Sequence, residues 1–451
     1  MASEHLQESF YETLNDFPIL AGNLEQTKNK HLQIVIDPNN LNLPDYKETQ
    51  CDVHFVTLKL TKYDWCMLPK GAGTAETFIA PNNSGQIKLA SVNVLRLKDN
   101  SGVVLFVSIP HFVVDGTGFV EFVQRWSEIC TSIASQGILA SVPNRVISHD
   151  RANFGKNYPE QDENVEDGRL AHMQLPSGIL SRWIAGMSPE TRGKLVNSMS
   201  VFMRSGNAHF YVSRSKLQAL RVSIQEFVPE GQRISDNDLI MTLLTVVSAQ
   251  SKDSSRTMPR PIQPLLKAFK SIEKALGRPP KVIGTIIAVN TRPRLKRYAG
   301  SGGYCGNSIV PMVAANTLRD LQAPATPELL AKVAAGIHSS VQNVDEEYIR
   351  GVVDLYNSES DYHLRPLLYD KQYTEKLFSS NLSGMGWYDS DFGWGIPEFV
   401  TFKDGPFGPI IAIMPAHPSL DGYVVHTAFS KKLDAFLRKS ELWTDTAELI
   451  R

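Results

Sequence analysis

The chain has 451 residues, 42% hydrophobic and 21% charged; 46 lysines and arginines nearly balance 47 aspartates and glutamates, for a net charge of −1. That length exceeds one ordinary core and fits two domains of about 200 residues, and the charge balance argues against a nucleic-acid or membrane-surface protein. Cys51, Cys66, Cys130 and Cys305 are widely spaced and form no Cys-x-x-Cys pair, so neither a zinc site nor a disulfide framework is expected. The polar first ten residues do not read as a signal peptide. No apolar run reaches the roughly 18 residues of a membrane span, and the last four residues match no retention or peroxisomal signal. A cytoplasmic monomer is expected.

Residues 6–20 are predicted helical, because Leu6, Phe10, Leu14 and Phe17 recur at helical spacing and Pro18 and Gly22 punctuate the exit. Residues 31–36, 53–60 and 89–97 read as strands. Lys98 to Gly102 (KDNSG) reads as a turn, so 89–109 forms a hairpin. An amphipathic segment follows over 118–130. Residues 145–206 are polar, with scattered prolines, and read as a crossover, ending in a helical stretch at 191–203. Residues 208–212 form a short strand and 215–222 start a helix. Ser235 caps a helix running to about 249. Residues 251–281 are basic and proline-interrupted, a surface excursion with a helical piece near 266–276. Strands follow at 282–290 and 308–314, a helix at 326–343, closing strands at 399–402, 410–414 and 423–428, and a final helix over 430–442. Mixed strands and helices in two halves give an α/β protein with domains 1–144 and 207–451 joined by the 145–206 crossover.

The chemistry concentrates at SIPHFVVDG, residues 108–116. His111 stands at the end of an apolar strand, with Asp115 and Gly116 turning the chain behind it. An imidazole there is aimed at a cleft from a rigid base, the placement that a general base requires. A lone histidine at a strand end is more often structural, and short spacings match by chance. A second segment, Asp391-Phe392-Gly393-Trp394-Gly395, lies near the other end of the chain. Together, His111-x-x-x-Asp115-Gly116 and Asp-Phe-Gly-Trp-Gly resemble the paired signature of the BAHD acyltransferases. Four further stretches add ordered matches: LQESFYETLNDFPILAGNL from Leu6, SDNDLIMTLL from Ser235, VNTRPR from Val289 and YCGNSI from Tyr304. The resemblance covers most of the chain. It differs at the start, where family members carry a further strand-bearing stretch before the helix matching Leu6.

The resemblance implies two chloramphenicol-acetyltransferase-like mixed-sheet domains with a channel between them. It implies a CoA-dependent transfer of an acyl group, acetyl by default, to a hydroxyl or amine of a small specialised metabolite, and it favours fungal members. His111 is the expected general base. Asp115 could orient His111 as in a catalytic triad; the resemblance instead pairs it with Arg292. Gly116 is expected to permit the turn, and Asp391, Gly393 and Gly395 to be architectural, with Phe392 and Trp394 as packing anchors. Ser380 or Asn381 could donate to an oxyanion. Lys267, Lys270, Arg278 and Lys281 are candidates for the CoA phosphates, against the simpler reading of a solvated basic face. No Gly-x-Ser-x-Gly elbow is present, and Cys130 and Cys305 read as packed thiols, so direct transfer in a ternary complex is expected. No metal and no permanently bound cofactor are expected. Two alternatives stand beside this reading: a catalytically impaired CoA- or small-molecule-binding protein on the same fold, and a condensation-type amide-forming enzyme. The second is weakened by Pro110, which stands where the doubled histidine of that pattern would begin.

Overall fold

The computed structural model describes residues 3–26, 32–73, 87–136, 147–149, 205–252, 281–295, 303–357, 373–402 and 410–451. In the first half, helix α1 (Ser3–Asp16) is followed by an antiparallel pair, β1 (Asn23–Gln26) and β2 (Leu32–Val35). A three-stranded sheet contains β3 (Asp45–Gln50), β4 (Ser91–Arg96) and β5 (Val103–Ser108). Its middle strand, β4, runs parallel to β3 and antiparallel to β5. Strand β4 is buried continuously from Ser91 to Leu95, with Val92, Val94 and Leu95 in the core and Ser91 and Asn93 buried beside them. Asp99 and Asn100 turn the β4–β5 hairpin with left-handed backbone, at φ 55° and 52°. Between β3 and β4 lies a short helix, α2 (Phe55–Leu60), and after β5 comes the long helix α3 (Gly116–Gln136). Helix α3 packs on α1 through Trp126, whose indole N–H donates to the Leu6 carbonyl at 3.2 Å and the Ser9 hydroxyl at 3.0 Å. Leu6, Phe10, Leu14, Phe17, Phe122 and Trp126 form the heart of this core.

The second half is built on a seven-stranded mixed sheet in the order β12-β6-β11-β10-β9-β7-β8. Its strands are β6 (Ser205–Ser213), β7 (Val282–Asn290), β8 (Ile309–Thr317), β9 (Tyr373–Asn381), β10 (Ile410–Pro415), β11 (Gly422–Ser430) and β12 (Ala447–Leu449). Strand β9 is parallel to both its neighbours, and the remaining ladders are antiparallel. Helix α4 (Arg214–Ile224) precedes helix α5 (Asp236–Ser251), which is buried at every residue from Asp238 onward. Helix α5 lies against β7 and β9 and is covered by α4, by α6 (Pro327–Gln342) and by α8 (Lys431–Leu437). Helix α7 (Glu346–Asn357) follows α6. An all-round buried helix shows no amphipathic stripe; its start is fixed by a capping box, in which Ser235 and Asp238 satisfy each other's backbone N–H. This second core draws only on residues 208–447. The first core draws on residues 6–130, with Cys305 and Phe392 reaching in from the second half. No helix among the described residues is long and apolar enough to cross a membrane.

Three predicted elements differ from the structure. Residues 53–60 are not a strand: α2 occupies them, with the His54 ring accepting the Val56 N–H at 3.2 Å as its cap. Short apolar runs are ambiguous between the two periods, and here only Leu58 of the helix is buried. Residues 399–402 join no ladder; Phe399 instead stacks on Tyr63 with centroids 4.7 Å apart. The final helix is broken. After α8 the chain restarts at Ser440 with a short turn, Glu441–Thr444, which seats the fully buried Trp443 against Phe210. Almost all of 145–206, including the helix expected at 191–203, and nearly all of the 251–281 excursion lie outside the described residues.

Candidate active site

Strand β5 delivers the chain to Ile109 and buried Pro110, and a tight turn follows, closed by the Val113 N–H on the Pro110 carbonyl at 2.8 Å. Val113 and Val114 are buried beneath it. His111 and Phe112 form the exposed tip. Buried apolar residues on both sides of a two-residue tip give the imidazole a rigid base with an open face.

Asp115 is buried and caps α3, its Oδ1 accepting the Gly118 N–H at 3.1 Å. The same carboxylate receives Arg292 through two parallel bonds, Nη1 to Oδ2 at 2.7 Å and Nη2 to Oδ1 at 3.0 Å, and the Ser308 N–H at 2.9 Å. Arg292 in turn donates Nε to the Tyr304 carbonyl at 2.9 Å, Nη2 to the Gly306 carbonyl at 2.7 Å and Nη1 to the Asn290 side chain at 3.3 Å. Both ions are thus fully hydrogen-bonded, the condition under which a buried pair is tolerated. The His111 ring is not among the Asp115 partners, so the carboxylate ties α3 to the end of β7 and does not orient the base.

Around this pair the two halves meet closely. A Cβ on Gly118 would stand 2.1 Å from the Cys305 carbonyl oxygen, so a side chain is excluded there. Gly116 is the first residue of α3 and has no positive φ, so the cost of a Cβ there comes from close packing. Its bare Cα lets Leu382 and Met385 approach, with Leu382 Cδ2 2.9 Å from where a Cβ would be. The Asn307 side-chain amide donates to the His111 carbonyl at 2.7 Å. Gly118, Asn307 and Ser308 escape a reading of the sequence alone, although YCGNSI contains the last two.

The end of β9 reaches the same place. Ser380 is half-buried, paired with Ala412 of β10, and stands two residues before the Leu382 that meets Gly116. The exposed Asn381 uses its side-chain oxygen locally, accepting the Ser383 N–H at 3.0 Å and hydroxyl at 2.7 Å. From there the chain lies along α3: Gln124 donates to the Gly386 carbonyl and Thr131 to the Asp391 carbonyl, both at 2.9 Å. Asp391 Oδ1 accepts three N–H groups of its own loop, from Gly393, Trp394 and Gly395, at 2.7, 3.0 and 2.9 Å. Gly393 and Gly395 take φ of 87° and 92°, values that favour glycine. Phe392 is buried edge-on against Trp126 at 4.7 Å, whereas Trp394 is 41% exposed and is no anchor.

Lys281 is exposed at the entry to β7; Lys267, Lys270 and Arg278 lie outside the described residues. Burial pushes both interior thiols upward. For Cys305 the Glu121 carboxylate adds to the effect, and Cys130 is raised by desolvation despite a hydrogen bond with Ser9. Neither is a ready thiolate nucleophile.

A family model described as "Transferase family" matches residues 1–176 and 246–441. Anthranilate N-benzoyltransferase protein 1 of Dianthus caryophyllus is 24% identical over 316 residues, covering 67% of this chain and 58% of that protein. The O-acetyltransferase anaAT of Neosartorya fischeri is 23% identical over 349 residues, covering 69% of this chain and 63% of that one. The chain therefore spans less than two thirds of either relative. Among solved structures, F. graminearum TRI101 complexed with coenzyme A and T-2 mycotoxin has a TM-score of 0.70 at 14% identity, covering 99% of this chain and 91% of that one. Vinorine synthase has a TM-score of 0.56 at 16% identity, covering 96% and 83%. At such identities the likeness speaks for the fold: two chloramphenicol-acetyltransferase-like α/β domains with mixed sheets. With most of its length matched by the family model, the chain belongs to the Transferase family, that of the BAHD acyltransferases.

Proposed function

We propose that the chain is an acyl-CoA-dependent acyltransferase that moves an acyl group, acetyl by default, onto a hydroxyl or amine of a small specialised metabolite. The observation that carries the reading is the saturation of Asp115 by Gly118, Arg292 and Ser308. It leaves the exposed imidazole at the end of β5 as a base in its own right, fixed by its turn and unpaired with the carboxylate. His111 takes the proton from the acceptor as its oxygen or nitrogen attacks the thioester carbonyl. The tetrahedral intermediate collapses, expelling the CoA thiolate, and the imidazolium returns the proton to that sulfur. General-base assistance is worth roughly 10²–10⁴ in rate, and holding both substrates against it supplies much of the rest.

Ser380 or Asn381 donates to the developing oxyanion. Lys281, with Lys267, Lys270 and Arg278, supplies charge for the CoA phosphates. The domains divide as 1–144 and 207–451 across the 145–206 crossover, with the channel between them admitting CoA from one side and acceptor from the other. The relatives named above span N-benzoyl and O-acetyl transfer, which supports a hydroxyl or an amine as the nucleophile. The protein acts as a cytoplasmic monomer.

With two raised thiols and no Gly-x-Ser-x-Gly elbow in the sequence, transfer proceeds in a ternary complex. Initial rates varied against both substrates should give intersecting lines, and intact-mass spectra after incubation with acetyl-CoA alone should show no added acetyl group. Parallel lines with a stoichiometric burst of free CoA would overturn the mechanism.

A further inference from the structure

We infer that Asn307 is a positioning residue for the general base: its side-chain amide, supplied by the second half of the chain, holds the backbone of His111 at the exposed tip of its turn. The inference rests on the acyltransferase reading above. Its observation is the 2.7 Å bond from Asn307 Nδ2 to the His111 carbonyl, across 196 residues of sequence. A carbonyl only accepts, so the amide orientation is fixed by chemistry.

The tip needs such a tie. Pro110, Val113 and Val114 are buried, but His111 and Phe112 between them are exposed. Among the described residues, Asn307 is the one hydrogen-bond partner of His111. Asn307 is itself well held, because both its neighbours belong to the ion-pair network. The Gly306 carbonyl accepts from Arg292 at 2.7 Å, and the Ser308 N–H donates to Asp115 at 2.9 Å. Ser308 is tied again, its carbonyl accepting the Thr291 N–H at 2.8 Å and hydroxyl at 3.0 Å. Further back, the Cys305 N–H donates to the Ser148 carbonyl at 2.9 Å. The Asp115–Arg292 pair therefore fixes the segment that fixes His111. The base is held from both halves: β5 brings it, and the segment before β8 sets its backbone. A misplacement of about 1 Å at a reacting group can cost on the order of 10²-fold in rate, so a bond that removes such freedom acts on turnover more than on stability.

The test is Asn307→Leu, close in size and without the donor, with Asn307→Ala as a second variant should the first fold poorly. Turnover is expected to fall about 10- to 100-fold, with KM for acetyl-CoA and the melting temperature close to wild type. The deciding measurement is the double-mutant cycle with His111→Ala. If Asn307 acts through the base, Asn307→Leu costs nothing further in the His111→Ala background. Turnover within twofold of wild type in folded Asn307→Leu and Asn307→Ala would overturn the proposal, as would equal losses with and without His111. Should His111→Ala itself retain full turnover, the acyltransferase mechanism fails first and the proposal falls with it. Should His111→Ala be impaired while the Asn307 variants are not, only the proposal falls.

Discussion

The two motif-bearing segments solve different problems with the same residue type. Asp115 is buried and spends its carboxylate across the chain, on Arg292 and the Ser308 N–H, joining α3 to the ends of β7 and β8. Asp391 is exposed and spends one oxygen on three N–H groups of its own loop, within four residues. The first aspartate holds two halves of a molecule together; the second shapes a loop whose attachment depends on Phe392 against Trp126. Spacing in the sequence does not distinguish them. Burial and the range of the partners do.

This contrast fixes an order of effects. Removing one partner of a buried ion pair leaves an uncompensated charge, so Asp115→Ala should cost about 3–5 kcal/mol. Chemical denaturation should reveal that loss together with poor soluble yield, and a loss below 1 kcal/mol would show that the latch does not bear on stability.

A third contact between the halves sharpens the comparison, because its acceptor is an imidazole. His209 on β6 is buried, stacked on His426 at 4.4 Å, and accepts Arg451 Nε at 3.1 Å, while Arg451 also reaches the Tyr63 carbonyl. Burial, then the neighbouring His426 and Arg451, push its pKa from 6.5 down to about 2. Between those values the unfolded chain binds the extra proton and the folded chain does not. The contribution is complete above about pH 6.5 and is lost as pH falls, by up to about 1.4 kcal/mol per pH unit. Stability measured at pH 7.5 and 5 should differ accordingly, by about 2 kcal/mol from this group, and His209→Phe should flatten that part of the profile. An unchanged slope in the variant would remove His209 as its source.

Gly118→Ala comes next. Its methyl group would meet the Cys305 carbonyl at 2.1 Å, against backbone that cannot rotate away. Overpacking of this kind costs about 1–3 kcal/mol, and a lowered melting temperature checks it; an unchanged one would mean that the halves separate freely there. The smallest loss is expected at the second motif. Asp391→Ala removes local hydrogen bonds at an exposed loop and should cost about 1 kcal/mol, with turnover nearly intact. A loss as large as that of Asp115→Ala would erase the distinction between the two motifs.

Legibility in the sequence followed burial. The central strands β4 and β7 announce themselves as apolar-rich runs bounded by turn residues, and the helices α1 and α6 because their buried residues recur at the helix period. Strand β3 (DYKETQ) does not, being a polar edge strand with no buried residue, and α7 also escapes. The α2 segment reads as a strand because six apolar-rich residues carry either period, and only the His54 cap and tertiary packing decide between them. At the site, His111, Asp115 and Arg292 can be found because family motifs mark them. Gly118 and Asn307 cannot be assigned their roles from local pattern, since each acts on a partner 187 or 196 positions away. Gly116 shows the same limit from the other side: beside Asp115 it reads as a turn residue, and its role comes from Leu382 and Met385.

The proposed base for direct acyl transfer is His111, whose ring is not among the partners of Asp115. Its most direct test is the turnover of His111→Ala with acetyl-CoA and an acceptor that the wild-type protein acylates, measured beside its melting temperature and CoA affinity. Turnover should fall by about 10²–10⁴ in a protein that melts and binds CoA as the wild type does, because the side chain is exposed. Turnover close to wild type in that folded, CoA-binding variant would contradict it.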